Sequence, residues 1–157
     1  MFCFTEFLNG SYDHLVILDS DMIVSQTWRA RLDDIVKTPG FRIGSLYHSN
    51  FHKIIAEHPS YYIKGTAGFA GMVFTREVMM FIRNSLGPVH TDWAVCDLLG
   101  RKNFFVCRPS AVAHIGINGQ WNGPNYVHID KAVDFDWAGV DPNVKLACET
   151  LLNVKFG

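Results

Sequence analysis

The chain lacks any apolar run approaching the roughly 20 residues that a helix needs to cross a bilayer. It also lacks a CxxC pair. Its four cysteines, Cys3, Cys96, Cys107 and Cys148, are scattered, which argues against a zinc knuckle or a disulfide framework and leaves free thiols as the plain reading. There is no basic stripe or polybasic tail: Lys and Arg occur singly and the formal net charge is -1, so no surface stands out that would neutralise a series of phosphates along a nucleic acid. The opening MFCFTEFLNGSYD has neither a basic leader region nor a small-residue cleavage site. A location in the cytoplasm, or peripherally on the cytoplasmic face of a membrane, is the expectation. No repeat, low-complexity tract or Pro/Gly/Ser linker divides the chain, so residues 1–157 are expected to form one domain.

What remains is an ordinary globular composition, 48% hydrophobic and 18% charged, ample for a core. HLVILD (14–19) is short, β-rich and apolar on both faces, which predicts a central strand covered on both sides. SQTWRARLDDIVKTPG predicts a helix, with cap-type Ser25 and Thr27, an inward stripe of Trp28, Leu32, Ile35 and Val36, and a stop at Pro39-Gly40. FRIGSLYH and AGMVF read as strands, the second entered by a glycine-broken loop. TREVMMFIRNSLG reads as a helix capped by Thr75 and ended by Gly87, with Met79, Phe81, Ile82 and Leu86 facing inward. TDWAVCDLLGRKN reads as another, burying Trp93, Cys96, Leu98 and Leu99, and FFVCRPSAVAHIG returns as a strand. Alternating helices and strands predict an α/β fold with a mixed sheet flanked by helices.

The tip of HLVILD carries the sharpest chemical question, because it ends in Asp19-Ser20-Asp21. Two carboxylates at the carboxyl end of a buried strand sit where open α/β sheets bind ligands. They repel one another and resist desolvation unless a cation or hydrogen-bond donors compensate. Hard oxygen ligands suit Mg2+ or Mn2+, which fill their remaining positions with water and substrate phosphates. The plainer alternative is a solvated turn in which Asp19 or Ser20 bonds nearby backbone.

The order of hydrophobic strand, DSD, aliphatic pair and Trp-containing helix resembles the DxD region of GT-A-fold (Rossmann-like) glycosyltransferases of the family 2 type. These enzymes move a sugar from a nucleotide-sugar donor to an acceptor hydroxyl. The resemblance implies that Asp19, Ser20 and Asp21 meet the donor and that Asp21, with Asp19, holds the divalent ion. GTAGFAGMVFTREVM resembles the loop, strand and helix that line the sugar pocket, which implies roles for Gly68 and Phe69. HTDWAVCDLLGRKN resembles the segment carrying the catalytic carboxylate of inverting members. It implies Asp92 as general base, with Asp97 as the fallback and helix capping as the structural alternative. RPSAVAHIGINGQWN resembles a late segment ending in His-Ile-Gly, which implies His114 as a metal or phosphate ligand. Beyond it, Trp121 and His128 would contact the diphosphate.

Only 18 residues precede Asp19. The resemblance therefore covers the C-terminal portion of that fold and implies that the nucleoside-binding half is missing, with a homo-oligomer or complementing chain supplying neighbours to an exposed apolar strand edge. Two rival readings stand beside it. VILDSDMI also fits the start of a haloacid-dehalogenase-like phosphatase signature, with Asp19 as nucleophile and Asp21 as acid/base, although no later glycine-preceded acidic pair follows. The other rival is a catalytically incomplete module that binds sugar or metal through its aromatic residues.

Overall fold

The computed structural model describes residues 2–86, 92–101, 103–115, 132–153 and 155. In chain order the elements are α1 (Phe2–Asn9), β1 (His14–Ile17), β2 (Met22–Val24), α2 (Trp28–Val36), β3 (Ile43–Ser45), β4 (Ile54–Glu57), β5 (Tyr61–Lys64), β6 (Met72–Thr75), α3 (Arg76–Leu86), α4 (Asp92–Leu98), β7 (Phe104–Cys107), β8 (Val112–His114), a 3-10 turn (Trp137–Gly139) and α5 (Pro142–Leu152). Six strands form a mixed sheet in the order β1-β6-β3-β7-β5-β4. Only β3 and β7 run parallel; the other neighbours are antiparallel. β2 and β8 form a separate two-stranded antiparallel ribbon. The fold is α/β with helices on both faces of the sheet.

Strand alternation explains the two layers. Met72 and Phe74 of β6 enter one apolar cluster, with Phe7 of α1, Val78, Met79 and Ile82 of α3 and Val95 of α4. Val73, between them, enters a second cluster with Leu46, Cys107 and Ile35 of α2. β1 divides the same way, Leu15 and Ile17 against the first cluster and Val16 against the second. Apart from His14 and Thr75 at their ends, both strands are wholly apolar, because each face is covered by one of the clusters.

β1 is nevertheless an edge strand, not the central one that its sequence predicts. Apolarity on both faces reports cover above and below and is silent about lateral neighbours. Two helical stripes also differ in detail. Val78, Met79 and Ile82 are the buried residues of α3, while Phe81 lies off that stripe and is 47% exposed. In α4, Val95 and Cys96 are buried and Trp93 is 59% exposed, with the Arg101 guanidinium 5.7 Å from its ring centroid. Thr75 Oγ1 accepts from the Val78 N–H, so it caps α3 as predicted, at 3.4 Å. Ser25 and Thr27 instead bond one another at 3.2 Å, and Thr27 makes no side-chain cap bond to α2.

Close approaches fix two glycines. A Cβ on Gly44 would run into the Phe105 carbonyl of the parallel neighbour β7, and one on Gly71 would lie 2.9 Å from Val112 Cγ2. Gly71 also sits at φ +68°, a conformation that L side chains rarely adopt. It therefore seats β8 against the glycine loop 65–71. The Leu46 N–H donates to the Gly71 carbonyl at 2.8 Å, and the Leu46 carbonyl accepts from Ala111 at 2.8 Å, which completes that junction.

Candidate functional site

β1 ends one residue before Leu18, and the chain turns at once. The Met22 N–H donates to the Asp19 carbonyl at 3.2 Å, so Asp19-Ser20-Asp21 is a tight turn between β1 and β2. The backbone of the motif is thus a turn, with Asp19 and Ser20 exposed in it. The side chains go further. β2 pairs with β8 in a register that sets Met22 opposite His114, and the Ile115 N–H donates to the Asp21 carbonyl at 2.9 Å. Across that ribbon Asp21 Oδ2 stands 3.0 Å from His114 Nε2, with the two side chains 33% and 21% exposed. A carboxylate and an imidazole far apart in the sequence meet at one half-open point.

The ring of Tyr47, a buried residue that follows β3, meets His114 edge-on at a centroid distance of 6.5 Å. Its backbone N–H is held by Ser45 Oγ at 3.0 Å, and Ser45 Oγ donates in turn to the Ala70 carbonyl of the glycine loop at 3.1 Å. His114 therefore has a rigid wall on one side. Neither Tyr47 nor this linkage was legible in sequence, because the contact joins three segments that no spacing rule connects.

Next to this wall lies a polar lock. The His48 N–H donates to Ser110 Oγ at 3.0 Å, and the Ser110 N–H and hydroxyl both donate to Asp134 Oδ1, at 2.9 and 2.7 Å. His48 Nδ1 is 3.4 Å from Asp134 Oδ2. Burial pushes the Asp134 carboxyl upward, but the bonds from His48 and Ser110 outweigh it and hold the group below the usual carboxylate range. The lock ties residues 132–134 to the strand ends that carry Tyr47 and β8.

The predicted site residues fall into three groups. Asp21 and His114 are brought together; Asp19 and Ser20 are exposed in the adjoining turn. Gly68 and Phe69 lie in the loop before β6, where the Phe69 ring stacks edge-on against Phe74 at 6.3 Å and packs on the first cluster, so it is partly a core residue. Asp92 is the first residue of α4, and Cys96 Sγ donates to the Ala67 carbonyl at 3.3 Å, which ties this helix to the glycine loop. The side chain of Asp92, like Trp121 and His128, lies outside the described residues. Asp97, the fallback carboxylate, is exposed and already bonded to Arg101 Nε at 2.5 Å.

The donor set fits a hard divalent ion only in part. Asp21 supplies oxygen, which suits Mn2+ or Mg2+, whereas the His114 nitrogen suits Mn2+ better than the oxygen-seeking Mg2+; such ions commonly keep several waters and substrate oxygens. Among the described residues no group of three or more His, Cys, Asp or Glu side chains gathers for a metal. Also among them, no helix is long and apolar enough to cross a membrane. No protein-family model, curated protein or solved structure matches the chain, and its own residues carry the functional reading.

Proposed function

We propose that the chain is a metal-dependent glycosyltransferase body that moves a sugar from a nucleotide-sugar donor to an acceptor hydroxyl. One observation carries this reading: Asp21, from the turn after β1, and His114, from the end of β8, meet at 3.0 Å in a half-open position beside the glycine loop. Asp21 and His114 would hold Mn2+ or Mg2+, which when bound offsets charge on the departing nucleoside diphosphate. Asp19 and Ser20 are exposed in the same turn and would meet the donor, and Gly68 and Phe69 of the glycine loop would line its sugar. Asp92, at the start of α4, would take the proton of the attacking hydroxyl, and a single displacement by that route inverts the anomeric centre.

A second reading, a binding module that lacks part of its catalytic apparatus, is favoured by the outer edge of β1. The register with β6 turns the backbone groups of His14 and Val16 away from the sheet, and no described residue pairs with them. A body of this kind would need a complementing chain for the donor's nucleoside.

The test is release of nucleoside diphosphate from a panel of uridine, guanosine and cytidine nucleotide sugars with Mn2+. Release that disappears in Asp21→Ala and in His114→Ala supports the transferase. Saturable Mn2+ binding without turnover moves the assignment to the module. Phosphate release from simple phosphate esters moves it to the phosphatase.

A further inference from the structure

A cavity of about 510 Å³ borders the DSD turn. Its wall begins at Ser20, between the two aspartates, and continues through Met22, Val24, Trp28, Ile115, Val144 and Cys148. The volume is that of a small-molecule site, and the lining is mostly apolar. Two polar side chains of the wall are already used: Asp141 Oδ1 accepts from the Asn143 and Val144 N–H groups at the start of α5, and the buried Ser25 bonds Thr27. The wall also carries the exposed Ser20 and Gln26. A ligand inside it would thus gain by burying apolar surface and would have few polar partners, with Ser20 the one that adjoins Asp19 and Asp21 in sequence.

We infer that this cavity houses the apolar part of the acceptor, an alkyl or aryl group attached to a hydroxyl-bearing sugar. The lining decides the occupant: Ser20 belongs to both the cavity wall and the carboxylate turn, and Met22 is the register partner of His114. A sugar linked to a group in the cavity is thereby delivered next to the proposed donor position. The word acceptor rests on the transferase reading; the apolar site itself does not.

Cys148 supplies the readout, being a partly exposed thiol in the cavity wall, whereas Cys96 and Cys107 are buried. Alkylation of Cys148 by N-ethylmaleimide is followed by peptide mass spectrometry with n-octyl β-D-glucoside below its micelle concentration, 4-nitrophenyl β-D-glucoside or plain glucose. Ligand at about ten times its Kd slows the reaction about tenfold in a saturable manner, because only the free protein reacts. The octyl and nitrophenyl arms show whether a chain or a ring fits; glucose gives no protection.

Val144→Asp on α5 and Val24→Asp on β2 each place a carboxylate in the cavity wall and remove the protection while their melting temperatures show a folded protein. Asp21→Ala keeps it. Absence of protection by both glycosides, equal protection by glucose, or protection that grows with protein concentration in the absence of ligand overturns the inference. Donor hydrolysis indifferent to Asp21 overturns the transferase reading instead, and leaves protection of Cys148 to be read separately.

Discussion

Asp21 and His114 face each other across the β2–β8 ribbon at 3.0 Å, and neither is fully buried. Water or a ligand can therefore reach the pair without unfolding the ribbon. An exposed or half-exposed pair of this kind adds little to stability, about 0–1 kcal/mol.

Replacing Asp21 or His114 by Ala is accordingly expected to leave the melting temperature within a few degrees of the parent, while Mn2+-dependent donor hydrolysis falls by about 100-fold or more in either variant. The double variant falls little further, since two ligands of one ion act as a unit. Calorimetric Mn2+ titrations check the same pair independently of turnover.

Asp134→Asn is expected to cost about 1–3 kcal/mol at pH 7, because the bonds from His48 and Ser110 lose their charged acceptor. Its depressed folded-state value fixes the sign of the pH effect. The Asp134 contribution is complete above the ordinary carboxylate value, about pH 3.9, and is lost as pH falls through the lower folded value. Urea melts at pH 7 and pH 3 should show the gap between parent and variant closing at the acidic end.

Gly71→Ala combines a positive φ with a Cβ 2.9 Å from Val112, and is expected to cost about 1–3 kcal/mol. Gly65→Ala is the contrasting case, since its nearest neighbour, the Arg101 carbonyl, is at an ordinary 3.5 Å. Thermal melts separate the two. Because Gly71 seats β8, its variant should also weaken Mn2+ binding through His114.

Burial pushes the Cys107 thiol up to about 12, with the Arg31 guanidinium opposing weakly. At pH 8 the native protein is expected to alkylate readily at Cys148 and not at Cys107, which reacts only after unfolding. The ratio of the two peptides by mass spectrometry, with and without urea, gives the result.

Much of the body was legible in sequence wherever one local pattern dominates. β6, α2 and α3 show their periods plainly. The β4–β5 hairpin did not show, because Ile55 is exposed at 57% and Lys64, which reads as a surface residue, is buried and donates to the Ser49 carbonyl at 2.5 Å. α5 was missed despite a usable signal: Asp141 caps it and Pro142 occupies its first turn. The edge position of β1 and the Tyr47 wall depend on which distant segments become neighbours. That information is spread over the whole chain and has no local signature.

The β2–β8 ribbon has its own small apolar foundation, Ile23 and Ala113 resting on Phe135 and Val140. Asp21 and His114 are thus passengers on one platform rather than on two halves of the body. Its opposite face is tied to the large sheet, Val112 and Met22 packing into the second cluster. A substitution at the Leu46–Gly71 junction should therefore be felt at His114 through β8 before it is felt at Asp21 in the turn.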